Sequence, residues 1–115
     1  METTIYHNPR CSKSRKTLLL LTDNGLTPNI VEYLKTPPTH QQLDSILRGL
    51  EMEPRQLMRR GEPQYSEMNL ADESFSRDQL IETMIQHPNL IERPIVIIGD
   101  KVAIGRPPES ILTII

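Results

Sequence analysis

Tryptophan is absent from this 115-residue chain, phenylalanine occurs once and tyrosine three times. Aromatics this sparse leave no stacking platform for single-stranded nucleic acid. The arginines are spread along the chain and the net charge is −2, so the basic footprint of a nucleic-acid binder is missing too. Long apolar runs are also lacking. The longest, Leu18 to Leu21, falls far short of a bilayer span, and residues 1–10 do not follow the basic-then-apolar order of a secretion signal. No membrane association is expected. Cysteine occurs once, as Cys11, which cannot close a disulfide within the chain, and secreted domains of this size normally rely on several. A reducing, cytoplasmic compartment is therefore expected. With one cysteine, and with His7, His40 and His87 scattered, the chain carries no metal-ligand cluster. The five glycines form no phosphate-loop or dinucleotide fingerprint, so no tightly bound cofactor is expected.

What is present is the composition of an ordinary globular protein, 37% hydrophobic and 24% charged, with length for a single domain spanning 1–115. Thr3 to Tyr6 is a short run of β-prone residues, and His7-Asn8-Pro9 reads as a turn. A helix follows from Ser12 or Ser14, carrying good helix formers and apolar positions at Thr17, Leu18, Leu21 and nearby, with a left-handed cap at Asn24-Gly25. Ile30 to Leu34 offers a second strand. Thr39 with Gln42, and Ser76 with Gln79, form capping-box pairs opening two further helices, the first carrying Leu43, Ile46, Leu47 and Leu50, the second Leu80, Ile81, Met84 and Ile85 up to Pro88. Between them, a short helix from Pro54 is expected to carry Leu57 to Arg60, and Glu62 to Leu70 reads as loop. Ile95 to Ile98 and Lys101 to Ile104, joined by Gly99-Asp100, predict a hairpin, and Pro107 to Ile115 predicts an amphipathic helix with Ile111, Leu112 and Ile115 inward. This order predicts an α/β, thioredoxin-like mixed sheet of about four strands flanked by helices, with a helical insertion in mid-chain.

The chemistry concentrates at Cys11. His7 and Arg10 precede it, Lys13 and Arg15 follow, and it stands at a helix entrance, where cations and unpaired amides favour the thiolate. The alternative is a buried, inert cysteine, which its polar neighbours disfavour. The same amides could hold an oxyanion, while the hydroxyls of Ser12 or Ser14 could equally serve as caps. Ser14 stands where a second cysteine would complete Cys-x-x-Cys, so any disulfide must involve an outside thiol. Arg59, Arg93 and Arg106 each lie beside a turn or proline and, taken singly, read as surface charges.

The run His7-Asn8-Pro9-Arg10-Cys11-Ser12-Lys13-Ser14-Arg15 resembles the active-site motif of the glutaredoxin-dependent arsenate reductases. Tyr33-Leu34-Lys35-Thr36-Pro37-Pro38, Leu57-Met58-Arg59, His87-Pro88, Ile91-Glu92-Arg93-Pro94-Ile95-Val96 and Gly105-Arg106-Pro107 continue the resemblance in the family's order over essentially the whole chain. The resemblance implies that Cys11 is the nucleophile, that His7 and Ser14 tune it, that Arg59, Arg93 and Arg106 bind the oxyanion, and that Pro94 is a cis-proline. It further implies arsenate as substrate, glutathione as co-substrate and glutaredoxin as partner. Ser12-Lys13 departs from the Gly-Thr pair of the best-known members, putting a side chain beside the implied anion pocket. Two other readings remain open: an interaction protein like the Spx-type transcription regulators, which share the fold but commonly carry Cys-x-x-Cys, and a monothiol reductase of another substrate.

Overall fold

The computed structural model describes residues 2–115, and its contacts gather them into two units. One runs up to Thr36 and resumes at Arg93–Ile115; the other is Pro37–Glu92.

The first unit holds the sheet. Its β-prone runs become β1 (Thr3–Tyr6), β3 (Ile95–Ile98) and β4 (Lys101–Ile104), joined by β2 (Asn29–Val31) in the order β2-β1-β3-β4. β1 pairs parallel with β2 and antiparallel with β3, and β3 and β4 form the expected hairpin, its turn taken by Gly99 at a φ of 63°. This is the α/β, thioredoxin-like mixed sheet that the sequence predicts. Alternation along the strands sends Ile5, Val96 and Ile98 to one face, where they pack with Leu21 of helix α1 (Ser12–Asp23) and with Ile111. Each such fully buried aliphatic side chain contributes about 1.5–3 kcal/mol relative to exposure. α1 ends as expected, with Gly25 at a φ of 80° and its N–H bonded to Thr22 O at 3.0 Å.

Two expectations in this unit are corrected. β2 stops at Val31 rather than running from Ile30 to Leu34, because its only neighbour, β1, ends. The last rung is His7 N–H to Val31 O at 2.8 Å, after which Lys35 and Thr36 N–H both turn back onto Glu32 O. The C-terminal segment is a 3-10 helix, Pro108–Thr113, not an amphipathic α-helix. A 3-10 helix repeats every three residues, so Ile111 and Ile114 face the core while Leu112 and Ile115 are exposed.

The second unit is helical, as the predicted mid-chain insertion. Both capping boxes form: Thr39 opens α2 (His40–Leu50) and Ser76 opens α5 (Arg77–Gln86), each hydroxyl accepting from the amide of its Gln partner. Leu43, Ile46 and Leu47 of α2 and Leu80, Ile81 and Met84 of α5 are buried, and the two helices pack together. α3 (Pro54–Leu57) is shorter than expected; Met58 is extended and bridges Ile91, so Arg59 follows a strand-like step instead of sitting in a helix. The expected loop 62–70 contains α4 (Pro63–Glu67). None of its residues is buried, so it lacks the apolar stripe by which a helix is read from sequence, and Pro63 at its start is its one local signal. Among the described residues no helix is long and apolar enough to cross a membrane.

His40, the first residue of α2, bonds through Nδ1 to Glu82 Oε1 at 2.8 Å and through Nε2 to Asp78 Oδ1 at 3.2 Å, both on α5. The Glu82 hydrogen bond, aided by Asp78, raises its pKa above the ordinary 6.5. The charged ring therefore stabilises the folded unit fully below the unfolded value, and that contribution is lost as pH rises through the folded pKa. NMR titration of His40 should show a midpoint above 6.5, moved back down by Glu82→Gln; a parent midpoint at or below 6.5 contradicts the pairing.

In the first unit the backbone of Gly105 presses on two neighbours. A Cβ there would lie 2.8 Å from Pro94 Cγ and 2.9 Å from Thr17 Cγ2, closer than real carbon contacts allow. Gly105→Ala should lower stability by about 1–3 kcal/mol through overpacking, read from the urea midpoint. An unchanged midpoint would show that this approach is not tight.

Candidate active site

Cys11 sits where the sequence puts it, at the N-cap of α1, with extended backbone and a half-buried side chain that makes no capping hydrogen bond. The first helical bond runs from Arg15 N–H to Cys11 O, so the amides of Ser12, Lys13 and Ser14 precede it and face the loop mouth. The loop leading in is tightly bonded. Cys11 N–H donates to Asn8 O at 3.0 Å, Arg10 N–H to Asn8 Oδ1 at 3.0 Å, and the Arg15 guanidinium to Pro9 O at 2.9 Å. Ser12 and Lys13 are both exposed.

His7 and Ser14, both buried, meet beneath this loop with Nδ1 and Oγ 2.6 Å apart. Ser14 Oγ also accepts Asn8 N–H at 3.0 Å, so one hydroxyl serves both the ring and the loop backbone. Burial pushes the His7 pKa below 6.5, Glu32 opposing and Arg15 reinforcing the shift. His7 is thus held neutral at pH 7 rather than supplying the positive charge its spacing suggested. Ser14 does not cap the helix; it ties α1 to the end of β1.

The sheet register places two of the three arginines at one end of the hairpin. Ile95 pairs with Ile104 and Gly105 N–H donates to Pro94 O at 2.9 Å, with Arg93 immediately before and Arg106 immediately after that bonded step. Because Tyr6 pairs with Ile95, this is also the sheet end at which β1 releases the Cys11 loop. Arg93 Nε and Arg106 Nη1 are shielded from solvent, and the Arg93–Pro94 and Arg106–Pro107 peptide bonds are both cis, the first as expected. Thr17 completes the arrangement: its hydroxyl lies 2.8 Å from Lys13 O and 3.4 Å from Gly105 O, seating the first turns of α1 against the hairpin end. Sequence reading counted Thr17 among the helix residues and left Gly105 unexplained except within the Gly-Arg-Pro motif; their mutual approach has no local signal. Arg59 belongs to the helical unit. Its backbone N–H bonds to Leu90 O at 2.7 Å, and its Nε lies 3.7 Å from Glu92 Oε1.

The ArsC family model matches residues 6–114. The chain belongs to the ArsC family. Among ArsC-family relatives, the arsenate reductase of Haemophilus influenzae is 46% identical over 116 residues, covering all of both chains. The uncharacterized protein YfgD of Escherichia coli (strain K12) is 53% identical over 112 residues, 96% of this chain and 94% of its own. A solved arsenate reductase from Vibrio cholerae superposes with a TM-score of 0.96 at 46% identity, covering 100% of this chain and 98% of that one. The ArsC fold therefore extends over the elements that carry Cys11, Arg93 and Arg106.

Ser14→Ala removes the acceptor of Asn8 N–H and the partner of His7 Nδ1 at once. It should cost about 1–3 kcal/mol of stability, the range for buried groups left unsatisfied. The His7 ring resonances should shift in the same variant; intact stability and unmoved resonances would refute the pairing.

Proposed function

We propose that this protein is an arsenate reductase that uses glutathione and glutaredoxin, with Cys11 as nucleophile. The observation that carries the reading is that Arg93 and Arg106 flank the end of the hairpin at the same sheet end from which β1 leads to Cys11 at the start of α1. Support for the substrate comes from the arsenate reductases that the chain resembles over its full length. Guanidinium forks suit a tetrahedral oxyanion and stay charged at every working pH. Arg59 takes the same oxyanion role from the family motif Leu57-Met58-Arg59.

In this scheme the Cys11 thiolate attacks arsenic, an S–As bond forms, and one arsenate oxygen departs as water. The arginines and the Ser12 to Ser14 amides offset the negative charge on the remaining oxygens. His7 and Ser14 act as positioning residues that hold the loop. A glutathione thiol then displaces a second oxygen as water, giving arsenic(V) bound to both sulfurs. The glutaredoxin thiolate attacks the glutathione sulfur, forming a mixed disulfide, and the electron pair of the broken S–As bond takes arsenic to As(III). Hydrolysis releases arsenite and restores the Cys11 thiol. A lone cysteine needs this external supply of thiols. No resident cofactor takes part, and dependence on glutathione places the protein in the reducing cytoplasm.

Purified protein supplied with arsenate, glutathione and glutaredoxin should oxidise glutathione in proportion to arsenate, and Cys11→Ser should abolish this. Arg93→Ala, Arg106→Ala and Arg59→Ala should each weaken oxyanion binding by about 1.5–3 kcal/mol, the range for hydrogen bonds to charged groups. Lys at the same positions should recover part of it. An inert parent, or an active Cys11→Ser, overturns the proposal.

A further inference from the structure

Beside the Cys11 loop lies a cleft of about 470 Å³, within the range of roughly 300–1,000 Å³ typical of small-ligand pockets. One wall is the loop itself, from His7 through Pro9 and Arg10; the other is the turn after β2, with Glu32, Leu34 and Lys35. The turn is set by the Glu32 carbonyl, which accepts from both Lys35 and Thr36 N–H and so fixes the backbone from which these three side chains project. The lining is chemically mixed: two cations, one carboxylate, and an apolar floor from Pro9 and the 44% exposed Leu34.

A bare oxyanion would use the cations and leave Glu32 and Leu34 without a role. A neutral apolar ligand would leave all three charges idle. The lining matches a small zwitterion with two carboxylates, one ammonium and short aliphatic links. Because Cys11 is the only cysteine, the wall that runs directly into it calls for a ligand that also carries a thiol. We propose that this cleft is the docking site of the tripeptide thiol glutathione, with Arg10 and Lys35 receiving its two carboxylates, Glu32 its ammonium, and Pro9 and Leu34 its aliphatic body. The assignment rests on the thiol-dependent reading above and adds to it a place and a set of residues. The present Lys35–Glu32 ion pair does not compete strongly. At 3.7 Å, with the side chains 80% and 46% exposed, it is the kind of surface pair that contributes little, so both groups exchange partners readily.

The test uses S-methylglutathione, whose capped sulfur keeps every charge but prevents reaction. Titrated into the isotope-labelled full chain at millimolar concentrations, it should shift the amides of residues 8, 10 and 32–35 saturably. Lys35→Glu, Arg10→Glu and Glu32→Lys should each weaken the fitted affinity about two- to fivefold, the scale of one exposed charge pair. All three side chains are exposed, so the variants should fold as the parent does. Shifts elsewhere only, no saturable shift, or affinities unchanged in all three variants overturn the assignment. Arsenate-dependent glutathione oxidation, measured in parallel, separates the two proposals. Reduction without binding at this cleft overturns the docking site alone; binding without reduction overturns the arsenate reading and leaves the docking site standing.

Discussion

At Gly105 the chain passes so close to Thr17 and Pro94 that a single methyl group would displace one of them. This approach joins the two parts of the first unit that matter for chemistry. Thr17 belongs to the helix that Cys11 caps, and Pro94 and Gly105 bond to each other between the two arginines that flank the hairpin. The Thr17 side chain and the Pro94 ring both close on the bare Gly105 backbone, so the first turns of α1 are held tightly against the hairpin end.

The loop that presents Cys11 is stiffened from below by a different means. His7 and Ser14 form a buried polar pair whose hydrogen bonds also absorb the amide of Asn8. Within a low-dielectric interior such a pair is stable only when each member is satisfied, and burial of the ring disfavours its charged form. A histidine just before a reactive cysteine invites an electrostatic role. Its burial here lowers the ring's pKa, and its bond to Ser14 ties the start of the loop to α1.

The surface around the loop is arranged differently from its base. Arg10, Glu32 and Lys35 are exposed and their mutual pairing is loose, whereas His7, Ser14 and Thr17 are buried and closely bonded. Rigid groups underneath and adjustable charges above suit a site that must hold one atom in place and yet exchange partners around it.

Much was legible in the sequence because the signals were local. The strands Thr3–Tyr6, Ile95–Ile98 and Lys101–Ile104, and both capping boxes, depend on residues at most a few positions apart, and the single cysteine by itself demands an outside thiol. Local signals failed where partners decide. β2 ended early because β1 offers no further rung, α4 formed without an apolar stripe, and the C-terminal segment took a three-residue repeat that turned Leu112 and Ile115 outward. The lowered pKa of His7, the Thr17–Gly105 approach across 88 positions and the placing of Arg93 and Arg106 at one sheet end belong to tertiary structure alone. Each depends on desolvation, exclusion of a side chain or ladder register, quantities that arise only when distant segments share one interior.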